Sequence, residues 1–279
     1  MNNILTALIC FASISAVLGL ILAVASKIFD VKTDERIEKV TETLPGANCG
    51  GCGFAGCAAL AEAIVKGEAS ITSCGSCSAE AIEKIAEILG QEKPDNHIRY
   101  RAQVMCSGTH ELAVKKYVYQ GVTDCISANK LSGGDKLCPN GCIGLGTCAA
   151  ACKFDAIHII NGVAAVDYEK CTACGACVKS CPKQIIKLIP YDAKHWVGCS
   201  SADKGAVTKN YCSVGCIGCK ICEKNCPTGA IKVENSIASI DYSKCDGCGL
   251  CESKCPRKII WSARSQQEEG IIRFKQDLT

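Results

Sequence analysis

Residues 171–182 read Cys-Thr-Ala-Cys-Gly-Ala-Cys-Val-Lys-Ser-Cys-Pro, and the same Cys-x-x-Cys-x-x-Cys-x-x-x-Cys-Pro pattern recurs at 216–227 and 245–256. The spacing has a chemical meaning. The first three thiolates of a run hold one four-iron cluster, and the fourth points away to a second cluster. A zinc site explains isolated Cys-x-x-Cys pairs but not four-cysteine runs, and cysteines this close cannot all pair as disulfides of sensible geometry. Electron transfer through iron–sulfur clusters is therefore the expected chemistry.

Composition agrees. There are 26 cysteines in 279 residues and only 5 % aromatics, too few large apolar side chains for an ordinary core, so clusters are expected to staple the fold. Such sites imply a reducing compartment. The formal charge of +3 counts every cysteine as neutral. Five oxidised clusters, each about −2 with its thiolates, would bring the loaded chain to about −7. No basic tract with interleaved aromatics points to nucleic acid.

The second half is an internal duplication with an offset of 74 residues. Cys138, Cys142, Cys148, Cys152, Cys171, Cys174, Cys177 and Cys181 are followed by Cys212, Cys216, Cys222, Cys226, Cys245, Cys248, Cys251 and Cys255. Between them, 157–171 and 231–245 each read as strand, two-residue turn and strand. Two tandem two-cluster ferredoxin units are predicted. Crossing the fourth ligand joins Cys216, Cys219 and Cys222 to Cys255, and Cys245, Cys248 and Cys251 to Cys226. In the first unit it joins Cys171, Cys174 and Cys177 to Cys152. The remaining site departs from pattern, because Leu145 stands where the repeat has Cys219 and Lys153 replaces the proline. Cys138 is expected to substitute there, with Cys142, Cys148 and Cys181. Cys106, Cys125, Cys199 and Cys212 are left over. They hold a sixth cluster between the units or are buried or free thiols.

Upstream, 49–57 holds Cys49, Cys52 and Cys57 among glycines, and Cys74 follows. These four make a further four-iron site, with Cys77 competing with Cys74 as the fourth ligand. Residues 57–67 and 79–89 read as helices. At the N-terminus, residues 4–25 are apolar and no charge precedes Lys27. That length spans a bilayer core of about 30 Å. A cleaved signal peptide is the rival reading, opposed by the uncharged start. Lys27, Lys32 and Arg36 after the span place the bulk on the cytoplasmic side.

The predicted fold is α+β: an N-terminal transmembrane helix, a small helical 4Fe-4S module, then two tandem bacterial 2[4Fe-4S] ferredoxin-like units. The expected divisions are an anchor at 1–27, the module at 28–90 and a linker with extra cysteines at 91–137. The first unit follows at 138–190, a connector at 191–211, the second unit at 212–261 and a tail at 262–279.

The anchor, the Leu-Pro-Gly-Ala-Asn-Cys-Gly-Gly-Cys-Gly-Phe-Ala-Gly-Cys stretch at 44–57 with Cys74, and the ferredoxin repeats together resemble the RnfB family, the B-type component of the Rnf complex, in the longer form of anaerobic bacteria. The resemblance implies a membrane-bound ferredoxin:NAD⁺ oxidoreductase that couples electron flow to Na⁺ or H⁺ transport. In it this component takes electrons from reduced ferredoxin on the cytoplasmic side and passes them to the other Rnf subunits. Five or six [4Fe-4S] clusters are the expected cofactors. No Gly-x-Gly-x-x-Gly follows a strand, so no NAD-binding fold is expected on this chain, and nothing in it resembles a flavin site. The alternatives are a related complex that reduces a redox sensor and a membrane-tethered cluster carrier. Lys179, Lys183, Lys187, Lys220, Lys224, Lys254, Arg257 and Lys258 are a candidate docking face for an acidic ferredoxin, or an ordinary solvated surface. His97, His110, His158 and His195 are scattered and read as structural.

Overall fold

A computed structural model of the chain describes residues 11–22, 24, 34–92 and 98–262. The expected membrane span, 4–25, lies partly outside these residues, as do His97 and nearly all of the tail. Residues 11–22 are helical and exposed. No described helix is long and apolar enough to cross a membrane, so the transmembrane helix has no counterpart among the described residues.

The module is three helices, α1 (Glu35–Thr43), α2 (Cys57–Val65) and α3 (Ala79–Leu89). Asp34 caps α1 and Ser78 caps α3, and Gly90 ends α3 in the left-handed conformation. These are the expected start and stop signals. The α2 cap comes from further away: Asn48 Oδ1 accepts from the Cys57 amide at 2.8 Å. A side chain at Gly56 would stand 2.8 Å from that oxygen, so glycine is needed there. Val40, Leu60, Ile64, Ile82 and Ile85 close a core beneath the cysteine loop.

The rest of the chain follows in order as β1 (Tyr100–Val104), α4 (Cys125–Lys130), α5 (Thr147–Ala150), β2 (Ile157–Ile160), β3 (Val163–Val166), α6 (Ala176–Ser180) and β4 (Ile186–Pro190). The second half then supplies β5 (His195–Val197), α7 (Gly205–Tyr211), α8 (Ile221–Lys224), β6 (Ile231–Glu234), β7 (Ile237–Ile240), α9 (Leu250–Lys254) and β8 (Ile260–Ser262). Each half has two antiparallel pairs. The hairpins β2–β3 and β6–β7 are the predicted ones, related by 74 residues. Their turns are Asn161-Gly162 and Asn235-Ser236, with all four residues at positive φ. This turn type matches the strand twist.

The second pair in each half is non-local. β1 pairs with β4, Val104 opposite Ile186, and β5 pairs with β8, Val197 opposite Ile260. The stretches 91–137 and 191–211, expected as linker and connector, therefore feed a strand each, or the residues next to one, into the halves that follow them. Between the halves, Trp196, Trp261, Met105 and Ile189 are buried together with Tyr168 and Tyr242 against them. The Arg101 guanidinium lies 3.7 Å over the Tyr168 ring and 5.0 Å from that of Trp196.

Candidate metal centres

The described residues include 25 cysteines, none of them in a disulfide. Twenty-four fall into six groups of four, leaving Cys77. Cys216, Cys219, Cys222 and Cys255 line one hollow, and Cys226, Cys245, Cys248 and Cys251 another. Cys152, Cys171, Cys174 and Cys177 stand close enough to repel one another's thiolates. These three groups are the expected ones. So is the module group of Cys49, Cys52, Cys57 and Cys74. Cys77 lies outside that hollow, buried in the module core.

The remaining two groups differ from expectation by one exchange. Cys125, not Cys138, lies with Cys142, Cys148 and Cys181. Cys138 joins Cys106, Cys199 and Cys212 between the units. The cause is local. Asp124 caps α4 by accepting from the Ser127 amide, Thr147 donates to Asp124 at 2.8 Å, and the Cys125 amide donates back to Thr147 at 2.7 Å. This closed triangle sets Cys125 against Leu145, where the thiolate is missing. Cys138 is drawn away by a strap: Ala113 bridges to Cys212, and Leu137 donates to Val114.

The inter-unit group has approximate two-fold symmetry. Cys106 and Cys199 follow β1 and β5, and Cys138 and Cys212 are repeat mates. The Cys142 amide donates to Cys106 Sγ at 3.4 Å and the Cys216 amide to Cys199 Sγ at 3.4 Å. Lys183 Nζ donates to the Pro139 carbonyl at 2.6 Å, and its repeat mate Arg257 donates to the Cys212 carbonyl at 2.6 Å. Two cations of the candidate docking face thus hold cysteine loops.

The donor sets fit iron–sulfur clusters. The inter-unit, Cys125, Cys216 and Cys245 hollows are alike in size, 310 to 370 Å³ with their mouths, and the module hollow is wider, about 930 Å³. Among the described residues, no three Cys, His, Asp or Glu side chains converge as ligands of a single ion do; the thiols stand around a space. Amides are aimed at sulfur, including Ala102 N to Cys171 Sγ at 3.3 Å and Ala156 N to Cys152 Sγ at 3.4 Å. Such hydrogen bonds stabilise an anionic cluster and tune its potential.

Burial pushes the Cys148, Cys177 and Cys199 thiols up to about 12 and that of Cys138 to about 11. Loading these groups must therefore expel protons. At Cys226 burial also raises the thiol, but the Thr228 hydroxyl and the amides of Ile231, Ala230 and Thr228 outweigh it and bring it below the usual range. Cys219 and Cys248, both in the second unit, are exposed. His195 walls the Cys245 hollow but is held by Glu252, with Nε2 2.9 Å from Oε2.

The groups form an unbroken file, which starts where Cys226 and Cys251 pack against the same core as Cys216 and Cys222. The Cys216 and inter-unit groups meet at Cys199, and the inter-unit and Cys125 groups meet at Cys106. Cys148 bears on Cys177 of the next group, and Cys174 on Cys49 of the module. At this last joint a side chain on Gly51 would overlap the Cys174 carbonyl. Ser76 donates to the Thr172 carbonyl at 2.8 Å, and Lys153 reaches the Asn48 carbonyl at 3.4 Å. Lys153, in place of the repeat's proline, thus touches the module.

Family models agree with this layout. The FeS model of an Fe-S cluster module matches residues 44–76. A 4Fe-4S binding domain model matches 164–187 and a 4Fe-4S dicluster domain model 215–271. The chain is 45 % identical over 246 residues to the B-type component of the Na(+)-translocating ferredoxin:NAD(+) oxidoreductase complex of Acetobacterium woodii, covering 88 % of this chain and 74 % of that one. It is 42 % identical to the B-type component of the ion-translocating oxidoreductase complex of Methanosarcina acetivorans, over 84 % of this chain and 89 % of the relative. Identity is also 42 % to the B-type component of the proton-translocating ferredoxin:NAD(+) oxidoreductase complex of Clostridium ljungdahlii, over 88 % and 87 %. The chain belongs to the RnfB family, the B-type components of the ion-translocating (Rnf) oxidoreductase complexes.

Proposed function

We propose that this member of the RnfB family carries electrons, one at a time, from reduced ferredoxin at its second unit to partner Rnf subunits past its N-terminal module. The observation that carries the reading is the unbroken file of four-thiol groups. Six [4Fe-4S] clusters are held, in order, by Cys226, Cys245, Cys248 and Cys251; by Cys216, Cys219, Cys222 and Cys255; and by Cys106, Cys138, Cys199 and Cys212. The order continues with Cys125, Cys142, Cys148 and Cys181; with Cys152, Cys171, Cys174 and Cys177; and with Cys49, Cys52, Cys57 and Cys74. When bound, the clusters supply one-electron uptake and release. The chain's own work is to space them, exclude water with apolar walls and aim amides at sulfur.

Electrons come in at the second unit because Cys219 and Cys248 are exposed there and Lys224, Lys254 and Lys258 stand exposed around them. Long-range attraction steers an acidic donor to such a face. The complex is an ion-translocating ferredoxin:NAD⁺ oxidoreductase; its coupling ion is Na⁺ in one relative's name and the proton in another's. Flavin, NAD and the ion path belong to partner subunits. Residues 4–25 anchor the chain in the membrane, with the cluster-bearing parts on the cytoplasmic side.

Stopped-flow reduction of the anaerobic chain by reduced ferredoxin tests this. The rate should fall with added salt and with Lys224→Glu plus Lys254→Glu, while dithionite reduction is unaffected. A rate indifferent to both would remove the second unit as the point of intake.

A further inference from the structure

Lys136 lines the inter-unit hollow and is only 3 % exposed. Its ammonium donates to the Gly108 carbonyl at 2.7 Å and the Gly162 carbonyl at 2.9 Å. The neighbouring Asp135 pairs with Lys115 through Oδ2 at 3.0 Å, and its buried Oδ1 accepts no hydrogen bond, from Lys136 or any other group. Burying a cation on carbonyl dipoles alone is expensive. It becomes reasonable if the hollow beside it holds a negative charge. The repeat sharpens the point: 74 residues on, the same place is Asn210. At this position the first unit places a charge that the second does not; the second unit brings Arg257 to the Cys212 carbonyl instead.

Lys136 lines the hollow, whereas two other cations near its cysteines stand outside that lining. Arg257 and Lys183 grip the backbone of the loops, and Tyr211 is tied to Asp203 at 2.7 Å.

Resting on the six-cluster reading above, we propose that Lys136 sets the reduction potential of the inter-unit cluster, raising it so that this cluster holds the electron in transit between the two units. A nearby positive charge favours the more negative, reduced state. One electron arrives from one unit and one leaves to the other; no bond is made or broken and no proton is carried. Lys136 is a positioning and tuning residue, not a ligand.

The test is a potentiometric titration followed by electron paramagnetic resonance on the anaerobic full chain. The inter-unit signal is identified as the one missing in Cys199→Ser. Lys136→Met and Lys136→Gln should lower its midpoint by more than Lys224→Met does, Lys136→Arg should retain it, and iron content should be unchanged. An unmoved midpoint in the Gln variant, or a fall in the Arg variant as large as in Met, overturns the proposal. If the Met variant loses iron, the Gln and Arg variants, which still donate to carbonyls, carry the comparison. Should Cys199→Ser remove neither iron nor a signal, the six-cluster reading itself fails, a result separate from any shift at Lys136.

Discussion

At the scale of single residues, the Asp124–Thr147–Cys125 triangle decides which thiol completes the variant site. Asp124→Ala should release the Cys125 site, lowering iron by about four atoms per chain with the other five sites intact. Asp124→Asn, which can still accept, should not. The Asp124 carboxyl is held down to about 2, first by the Ser127 amide and then by the Thr147 hydroxyl. Its folded value lies below the unfolded one of 3.8, so its contribution is fully present above about pH 4 and lost as pH falls toward 2. Iron retention between pH 8 and 5 should therefore be the same in the wild type and Asp124→Asn. In the module, Cys74→Ala should cost a cluster and Cys77→Ala should not, as read from iron content. The Cys125–Cys138 exchange was within reach of the sequence. Cys138 and Cys212 are repeat mates, and Cys106 and Cys199 have matching neighbours, so symmetry puts those four together. What symmetry could not show is that Cys125 lands beside Leu145, because that depends on a cap and a hydroxyl 22 residues away.

At the scale of elements, the hairpins were legible and the outer strand pairs were not. A hairpin is local: alternating apolar residues flank a two-residue turn, and both copies repeat it. β1 finds its partner β4 more than 80 residues later, and three-residue β5 has too little pattern of its own to announce a strand. The turn of the first hairpin carries a prediction. Gly162 sits at φ 77, and a methyl there would overlap the His110 ring; its carbonyl also accepts from Lys136. Gly146 sits at φ 83 with only Ile159 nearby, at 3.6 Å, and its repeat position is Lys220, itself at φ 60. Gly146→Ala should therefore cost about 1 kcal/mol. Gly162→Ala should cost clearly more. Thermal loss of the cluster absorbance, compared across the two variants, orders them; equal loss would show that the His110 clash is relieved without cost.

At the scale of the whole molecule, the file depends on the module seating against the first unit. Gly51→Ala forces a methyl onto the Cys174 carbonyl, so it should part the two while leaving all iron in place. After reduction at the second unit, the module cluster should then stay oxidised longer than in the wild type, as rapid-freeze spectroscopy would show; unchanged transfer would mean that the seat tolerates the wider gap. The number of clusters and their order rest on the same architecture, since the inter-unit site exists only where two units meet. The central claim is most directly tested by iron and acid-labile sulfide per chain for the wild type and Cys138→Ser, produced without oxygen. About 24 of each are expected in the wild type, at four per cluster. Cys138→Ser should lose the same signal as Cys106→Ser and Cys199→Ser. About 20 in the wild type, or a Cys138→Ser loss that instead matches Cys142→Ser, would contradict it.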